Sequence, residues 1–233
     1  MPTDADRLPR SALEDWSVQL APALLGVRIV TELGGERVAV RLTEVEAYMG
    51  EDDPGSHAFR GPTPRTQIMF GAAGFLYVYF TYGMHWCANV VCGPTGAASA
   101  VLLRAGEVVE GVDVARARRP AARSEAELAR GPARLTTALG IGGGQDGVDL
   151  VTDPQLWLEP ASVAASVPVR TGPRVGIRGD GGDGVRFPWR FWLDGDPTVS
   201  TYRPGQLRRR ARAEGDIVRG AGTAPAGVGE DRT

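Results

Sequence analysis

The stretch "RVAVRLTEVEAYMG", residues 37–50, decides how this chain is read. Side chains alternate across a β-strand, so Val38, Val40 and Leu42 share a face, and the same parity continues through Glu44, Glu46 and Tyr48. An apolar stripe becomes an acidic and aromatic one with no turn between. Burying a carboxylate is costly unless it is paired, so the strand is expected to run out of a core and into a cleft.

Working outward, "VRIVTEL" lies just before it, and the intervening "GGE" is a hairpin signal. "SALEDWSVQLAPALLG", residues 11–26, predicts a helix capped by Ser11, with Glu14 three positions on and Gly26 at its end. Residues 50–74 form a long loop rich in Gly and Pro, the kind of segment that often carries function. "FLYVYFTYGMHWCANVVC", residues 75–92, predicts two strands around a two-residue turn. Leu76, Val78 and Phe80 fall on one face and Tyr77 and Tyr79 on the other, with Tyr82 at the tip beside Gly83. "AASAVLLRAGEVV", residues 97–109, is a further strand with Arg104 at its exit. Residues 109–141 read as helices interrupted at Pro120 and at Gly131-Pro132, and three short strands or connectors follow. The expected fold class is α+β: a single domain over residues 1–203, mainly an antiparallel β-sheet with surrounding helices and a projecting β-hairpin. Residues 1–10 are expected to form a loose arm, and residues 204–233 an Arg-rich and then Gly/Ala-rich tail.

The 233 residues, 42% of them hydrophobic, suffice for one sizeable core. All 26 cationic side chains are arginine. Without lysine, neither a lysine Schiff base nor a Walker-type phosphate lysine is available. Cys87 and Cys92 fall on opposite faces of one strand and read as buried free thiols. With only His57 and His85 besides, no metal-binding spacing is present, and neither a metal nor another cofactor is expected. The glycine run "GIGGGQDG" follows a helix instead of opening one, so it reads as a helix end and a loop, not as a phosphate cradle. The polar N-terminus is no signal peptide, and no apolar run is long enough to cross a membrane. A cytoplasmic, membrane-free protein is expected. The net charge of -2 is unevenly spread: residues 1–56 carry 11 acids and 5 arginines, whereas residues 203–219 carry 6 arginines and 2 acids. A local basic surface of this kind suits nucleic acid.

Two groups of residues carry chemistry. Tyr77, Tyr79 and Tyr82 lie within six positions of one another, and aromatic faces beside an apolar wedge suit unstacked bases. Glu46 and Tyr48 face one cleft, Asn89 lies on the returning strand, and Arg104 follows. Together they suit a planar heterocycle. Each also has a plainer reading: Glu46 and Arg104 as a structural ion pair, Asn89 as a partner of backbone groups, Tyr82 as a folded-back surface ring.

The motifs "TEVEAYMGEDDPGSHAFRGPTPRTQIMF", "YVYFTYGMHWCANVV" and "VLLRAGEVVEG" resemble the alkyladenine (3-methyladenine) DNA glycosylase family, and "RGPARLTTALGI", "RVGI" and "RFWLDGDPTVS" continue the likeness in order. The resemblance runs from about residue 20 to 203. It implies a DNA repair enzyme that flips alkylated or deaminated purines out of damaged double-stranded DNA. Water activated by a glutamate then hydrolyses the N-glycosidic bond and leaves an abasic site. Glu46 matches the activating carboxylate, Arg104 the arginine that helps to hold the water, and Val175 a backbone carbonyl that binds it. Tyr48, His57 and Tyr79 match the residues enclosing the flipped base, His57 also through its backbone amide. Asn89 matches the asparagine that disfavours the exocyclic amine of guanine, and Tyr82 the aromatic that fills the gap in the duplex. The resemblance implies a monomer that needs no cofactor and associates with the nucleoid through DNA. The sequence departs from vertebrate members at His85, where they have tyrosine, and after Ile141, where it is glycine-rich. Two other readings remain for the same residues: a nucleoside hydrolase, which needs the pocket but no wedge, and a non-catalytic binder of damaged nucleic acid.

Overall fold

The computed structural model describes residues 6–161 and 167–205. Its centre is β2 (Glu36–Tyr48), the longest strand, which joins β1 (Arg28–Leu33) through Gly34 and Gly35. Both glycines have positive φ, 68° and 79°, the conformation that lets a two-residue turn match the strand twist. β3 (Leu76–Thr81), β4 (His85–Val91), β5 (Ala100–Glu110) and β6 (Leu156–Glu159) complete the main path, in the order β3-β4-β5-β2-β1-β6. Every pairing within it is antiparallel. β8 (Arg190–Leu193) pairs with Glu44–Glu46 of β2, on the edge that β1 has left, and β7 (Val169–Gly172) pairs with β8. With α1 (Ser17–Ala23), α2 (Val112–Arg118) and α3 (Pro132–Leu139), the architecture is the expected α+β one.

The helices cover one face of the sheet. Leu20 and Leu24 of the α1 segment, Leu135 and Leu139 of α3, and Val38, Val40, Leu42, Val101 and Leu103 of the sheet share one buried cluster. Burying each such side chain stabilises the fold by roughly 1.5–3 kcal/mol. On the opposite face, the loop after β2 lays Ala58 and Met69 against Tyr77, Val91 and Ala100.

Strict alternation along β2 fails at one point, and the failure creates the site. The apolar stripe of Val38, Val40 and Leu42 continues in the core as Val45 and Ala47, not as Glu44 and Glu46. Leu42 pairs with Gly106 and Glu44 with Ala105, so Thr43 is an extra residue on β2; Val45 then pairs with Leu103, so Arg104 is an extra residue on β5. Two facing β-bulges, each of which bends a strand and re-aims its side chains, turn Glu44, Glu46 and Tyr48 away from the core.

Several expectations are corrected. The helix expected over residues 11–26 is two pieces, a 3₁₀ turn (Arg10–Leu13) and α1, and Ser11 caps neither. The Ser17 N–H donates to Ser99 Oγ and its hydroxyl to the Tyr48 carbonyl, so tertiary partners replace the helical ones. The turn after β3 has three residues, Tyr82–Met84, between the paired Thr81 and His85, and Tyr82 itself takes a positive φ of 53°. Arg104 does not end its strand, because β5 runs on to Glu110. Within the arm expected over residues 1–10, Leu8 N–H donates to the Leu158 carbonyl, and Arg10 pairs with Asp149 at 2.7 Å. The tail lies outside the described residues except for 204 and 205. No helix among the described residues is long and apolar enough to cross a membrane.

Candidate active site

Glu46 is fully buried, and both of its carboxylate oxygens are engaged. Oε1 accepts the Val175 backbone N–H at 2.7 Å, and Oε2 accepts the Tyr48 hydroxyl at 2.9 Å. By valence each oxygen can accept a second donor. Arg104 Nε stands 3.5 Å from Oε1. The three partners of Glu46 line two different openings: Tyr48 belongs to an aromatic pocket, and Arg104 and Val175 to a neighbouring cleft.

The aromatic pocket brings together Tyr48, His57, Tyr79 and Asn89, four of the residues singled out in the sequence; Tyr77, Met69 and Ile177 help to complete its wall. Tyr77 and Tyr79 project from the same face of β3 and stack at 5.5 Å, and the His57 ring stands edge-on to Tyr79 at 4.5 Å. His57 Nδ1 lies 3.2 Å from the Tyr77 hydroxyl. His57 as a residue is exposed, but its ring is packed edge-on against Tyr77 and Tyr79, and that desolvation, reinforced by the Arg65 charge, lowers its pKa to about 4, so the imidazole is neutral at physiological pH. Tyr48 and Tyr79 stay protonated, because burial foremost, aided for Tyr48 by the Glu46 charge, pushes their hydroxyls well up. Asn89 Nδ2 donates to the Tyr77 carbonyl of the paired strand at 3.1 Å, so the side chain is fixed as it faces the pocket. The plain reading of Asn89 and its place at the pocket therefore hold together.

Glu44, which the sequence leaves without a clear role, is a structural hub. It accepts Arg190 Nε at 2.6 Å, Arg104 Nε at 2.8 Å, Ser200 N–H at 2.7 Å and Ser200 Oγ at 3.0 Å. Arg104 is thus anchored by Glu44 and leans toward Glu46. The neighbouring cleft is lined by Arg104, Arg130, Arg134 and Arg203, with Glu127 as its one acid. Tyr82 stands apart from the pocket at the β3–β4 turn, 81% exposed, with Met84 beside it at 67%. β4 pairs with β5 only over Asn89–Val91, so the turn-proximal part of β3 and β4 pairs only with itself. Cys87 and Cys92 are free and buried. Among the described residues, no group of three His, Cys, Asp or Glu side chains could hold a metal ion.

Sequence reasoning missed Arg174 and Asp53, a buried ion pair beside Tyr48, and Arg190 and Ser200, which hold Glu44. Arg190, inside the aromatic run "PWRFW", carried a faint signal as a cation amid rings. Arg174, Asp53 and Ser200 carried none.

Comparison with known proteins places nearly the whole described domain in one family. The family profile described as methylpurine-DNA glycosylase matches residues 11–197. A protein of Streptomyces avermitilis is 53% identical over 195 residues, covering 83% of this chain and 90% of the relative. One from Leifsonia xyli is 53% identical over 199 residues, covering 83% and 92%, and one from Frankia casuarinae 50% identical over 200 residues, covering 82% and 90%. All three bear the name "Putative 3-methyladenine DNA glycosylase".

Proposed function

Because the chain belongs to the methylpurine-DNA glycosylase family, we propose that it flips alkylated or deaminated purines out of duplex DNA and hydrolyses their N-glycosidic bond with water activated by Glu46. One observation carries this reading: a buried carboxylate with both oxygens oriented by fixed donors, Val175 N–H and Tyr48 OH, next to an aromatic pocket.

The chemistry needs little else. A purine alkylated at N3 or N7 is cationic and leaves as a neutral base once it takes the electrons of the C1′–N bond; a deaminated purine is neutral and leaves as an anion, which takes up a proton from solvent. Water attacks C1′ as positive charge builds there, and its proton passes to Glu46. A single carboxylate both receives that proton and stabilises the oxocarbenium-like centre, in contrast to the paired carboxyls of ordinary glycosidases. Arg104, braced by Glu44, helps to hold the water, and the Val175 backbone serves at the same place. Tyr48, His57 and Tyr79 stack around the flipped base, and Asn89 discriminates against the guanine amine. Tyr82 enters the gap left in the duplex, an action in keeping with its exposure at a narrow turn. The arginine cleft beside Val175 suits the phosphate backbone, whose contacts position the protein without reading sequence. The enzyme acts as a monomer on DNA in the cytoplasm, and the domain spans residues 1–203, followed by the Arg-rich and then Gly/Ala-rich residues 204–233.

The test is base release from duplexes that each carry 7-methylguanine, hypoxanthine, ethenoadenine or 3-methyladenine. Release from at least one of them, leaving an intact abasic strand, is expected. Binding without release from any of them points to a damage-binding protein, and release from free nucleosides alone points to a nucleoside hydrolase.

A further inference from the structure

Arg174 is a guanidinium only 1% exposed, set among three aromatic rings. Its centre lies 4.5 Å from the Tyr48 ring, 5.4 Å from Trp189 and 5.8 Å from Phe187. Nη1 donates to Asp53 Oδ2 at 2.5 Å and to the Ala47 carbonyl at 3.0 Å; Nη2 donates to Asp53 Oδ1 at 2.7 Å and to the Gly181 carbonyl at 2.8 Å. A buried ion pair of this kind often contributes no more stability than well-packed apolar residues of the same volume. What the planar fork does supply is geometry, because its donors are fixed relative to one another.

The anchored groups are those that build the active site. Ala47 lies between Glu46 and Tyr48 on β2. Asp53 opens the turn to Gly55, which lines the pocket and approaches the guanidinium so closely that a Cβ there would collide with it. Gly181 packs its backbone onto Gly55. Val175, the next residue in the chain, donates its N–H to Glu46, and Ile177 lines the pocket two positions on. From this convergence we infer that Arg174 is a positioning residue for base excision: with Asp53, it sets the face of Tyr48, the gap across the pocket and the donor on Glu46, and it adds a fixed cation behind the general base. The inference rests on the glycosylase reading above.

A purely structural staple and a positioning cation make different predictions. Around Glu46 stand Arg104 from β5 at 3.5 Å, itself paired with Glu44, Tyr48 on β2 at 2.9 Å, and Arg190 of β8, whose backbone pairs with it in register and whose guanidinium is held by Glu44. Tyr79 from β3, Cys87 from β4 and Arg174, whose charge Asp53 balances, interact with it electrostatically. A nearby cation favours the charged form of a carboxylate. Removing that cation should move the acid limb of the rate profile to higher pH, and removing its counter-ion should move the limb the other way.

The experiment is single-turnover base release against pH for the wild type, Arg174→Gln, Arg174→Lys and Asp53→Asn, with thermal unfolding of each protein followed alongside. Arg174→Gln should release base about tenfold to a hundredfold more slowly, the scale of a small misplacement in an active site, with its acid limb shifted up. Asp53→Asn should shift the limb down. Arg174→Lys should keep the limb near the wild-type position and still lose rate, since it keeps the charge and lacks the fork. Folded variants with the wild-type rate and profile overturn the inference, and so do Arg174→Gln and Asp53→Asn limbs that move in the same direction. If Arg174→Gln does not fold, Arg174→Lys and Asp53→Asn decide alone: wild-type behaviour in both overturns the inference, and the two stated changes uphold it. A wild-type protein that releases no base sinks the glycosylase reading instead, so the two failures are distinguishable.

Discussion

Arg104 Nε lies 2.8 Å from Glu44 Oε1 and 3.5 Å from Glu46 Oε1. The closer carboxylate is the one with four donors, and the farther one is the one whose partners face the pocket and the cleft. Two acids two positions apart on one strand are thereby divided between structure and chemistry.

Substituting each of them should separate those roles. Glu46→Gln should slow base release by about two to four powers of ten, the usual span for a general base, while binding to damaged duplex stays near wild type. Glu44→Gln should leave Arg104 and Arg190 with uncompensated buried charge and lower stability by about 3–5 kcal/mol. Single-turnover release, duplex binding and denaturant midpoints read the two effects. Full turnover in Glu46→Gln would transfer the catalytic role to Glu44.

Tyr82→Ala should leave thermal stability almost unchanged, since the ring is 81% exposed. If the ring fills the gap in the duplex, it contributes roughly 1–3 kcal/mol of stacking, so release from a matched duplex should fall by about one to two powers of ten. The loss should be smaller when the lesion is already mispaired, because less unpairing work remains. Equal rates for both proteins on matched and mismatched duplexes would remove the wedge role.

The product should be an intact abasic strand, because the chain has no lysine to form a Schiff base and its arginines are too weakly nucleophilic. Borohydride added during turnover should trap no adduct. A covalent protein–DNA species would assign the chemistry to the N-terminal amine.

His57 should make the fold modestly acid-sensitive, because the residue is exposed and solvent screens part of the effect. Its folded pKa is about 4, below the ordinary histidine value of about 6.5. Between those values the unfolded chain binds more protons, so its share of the stability is complete above about 6.5 and is lost as the pH falls toward about 4. Thermal midpoints measured across that interval should fall more steeply for the wild type than for His57→Gln. Parallel curves would show that the ring is not shielded in this way.

Much of this was legible in one dimension, for a physical reason: strand alternation, turn glycines and helix breaks are local. The β1–β2 turn at Gly34-Gly35, the facing of Tyr77 with Tyr79 on β3, the end of α3 at Gly140 and the absence of lysine all follow from short stretches of the chain. So did the suspicion that Glu46 and Tyr48 leave the core together. Only the tertiary structure decided how they leave it. Facing bulges at Thr43 and Arg104 arise where β2 exchanges β1 for β8 along its edge, and the pairing of two distant strands sets them. The division of labour between Glu44 and Glu46 depended on Arg190 and Ser200, more than 140 positions along the chain from Glu44. Arg174 was invisible for the same reason: a buried cation is defined by the carboxylate, carbonyls and rings that surround it, and those of Arg174 come from β2, the loop after it and the segment before β8.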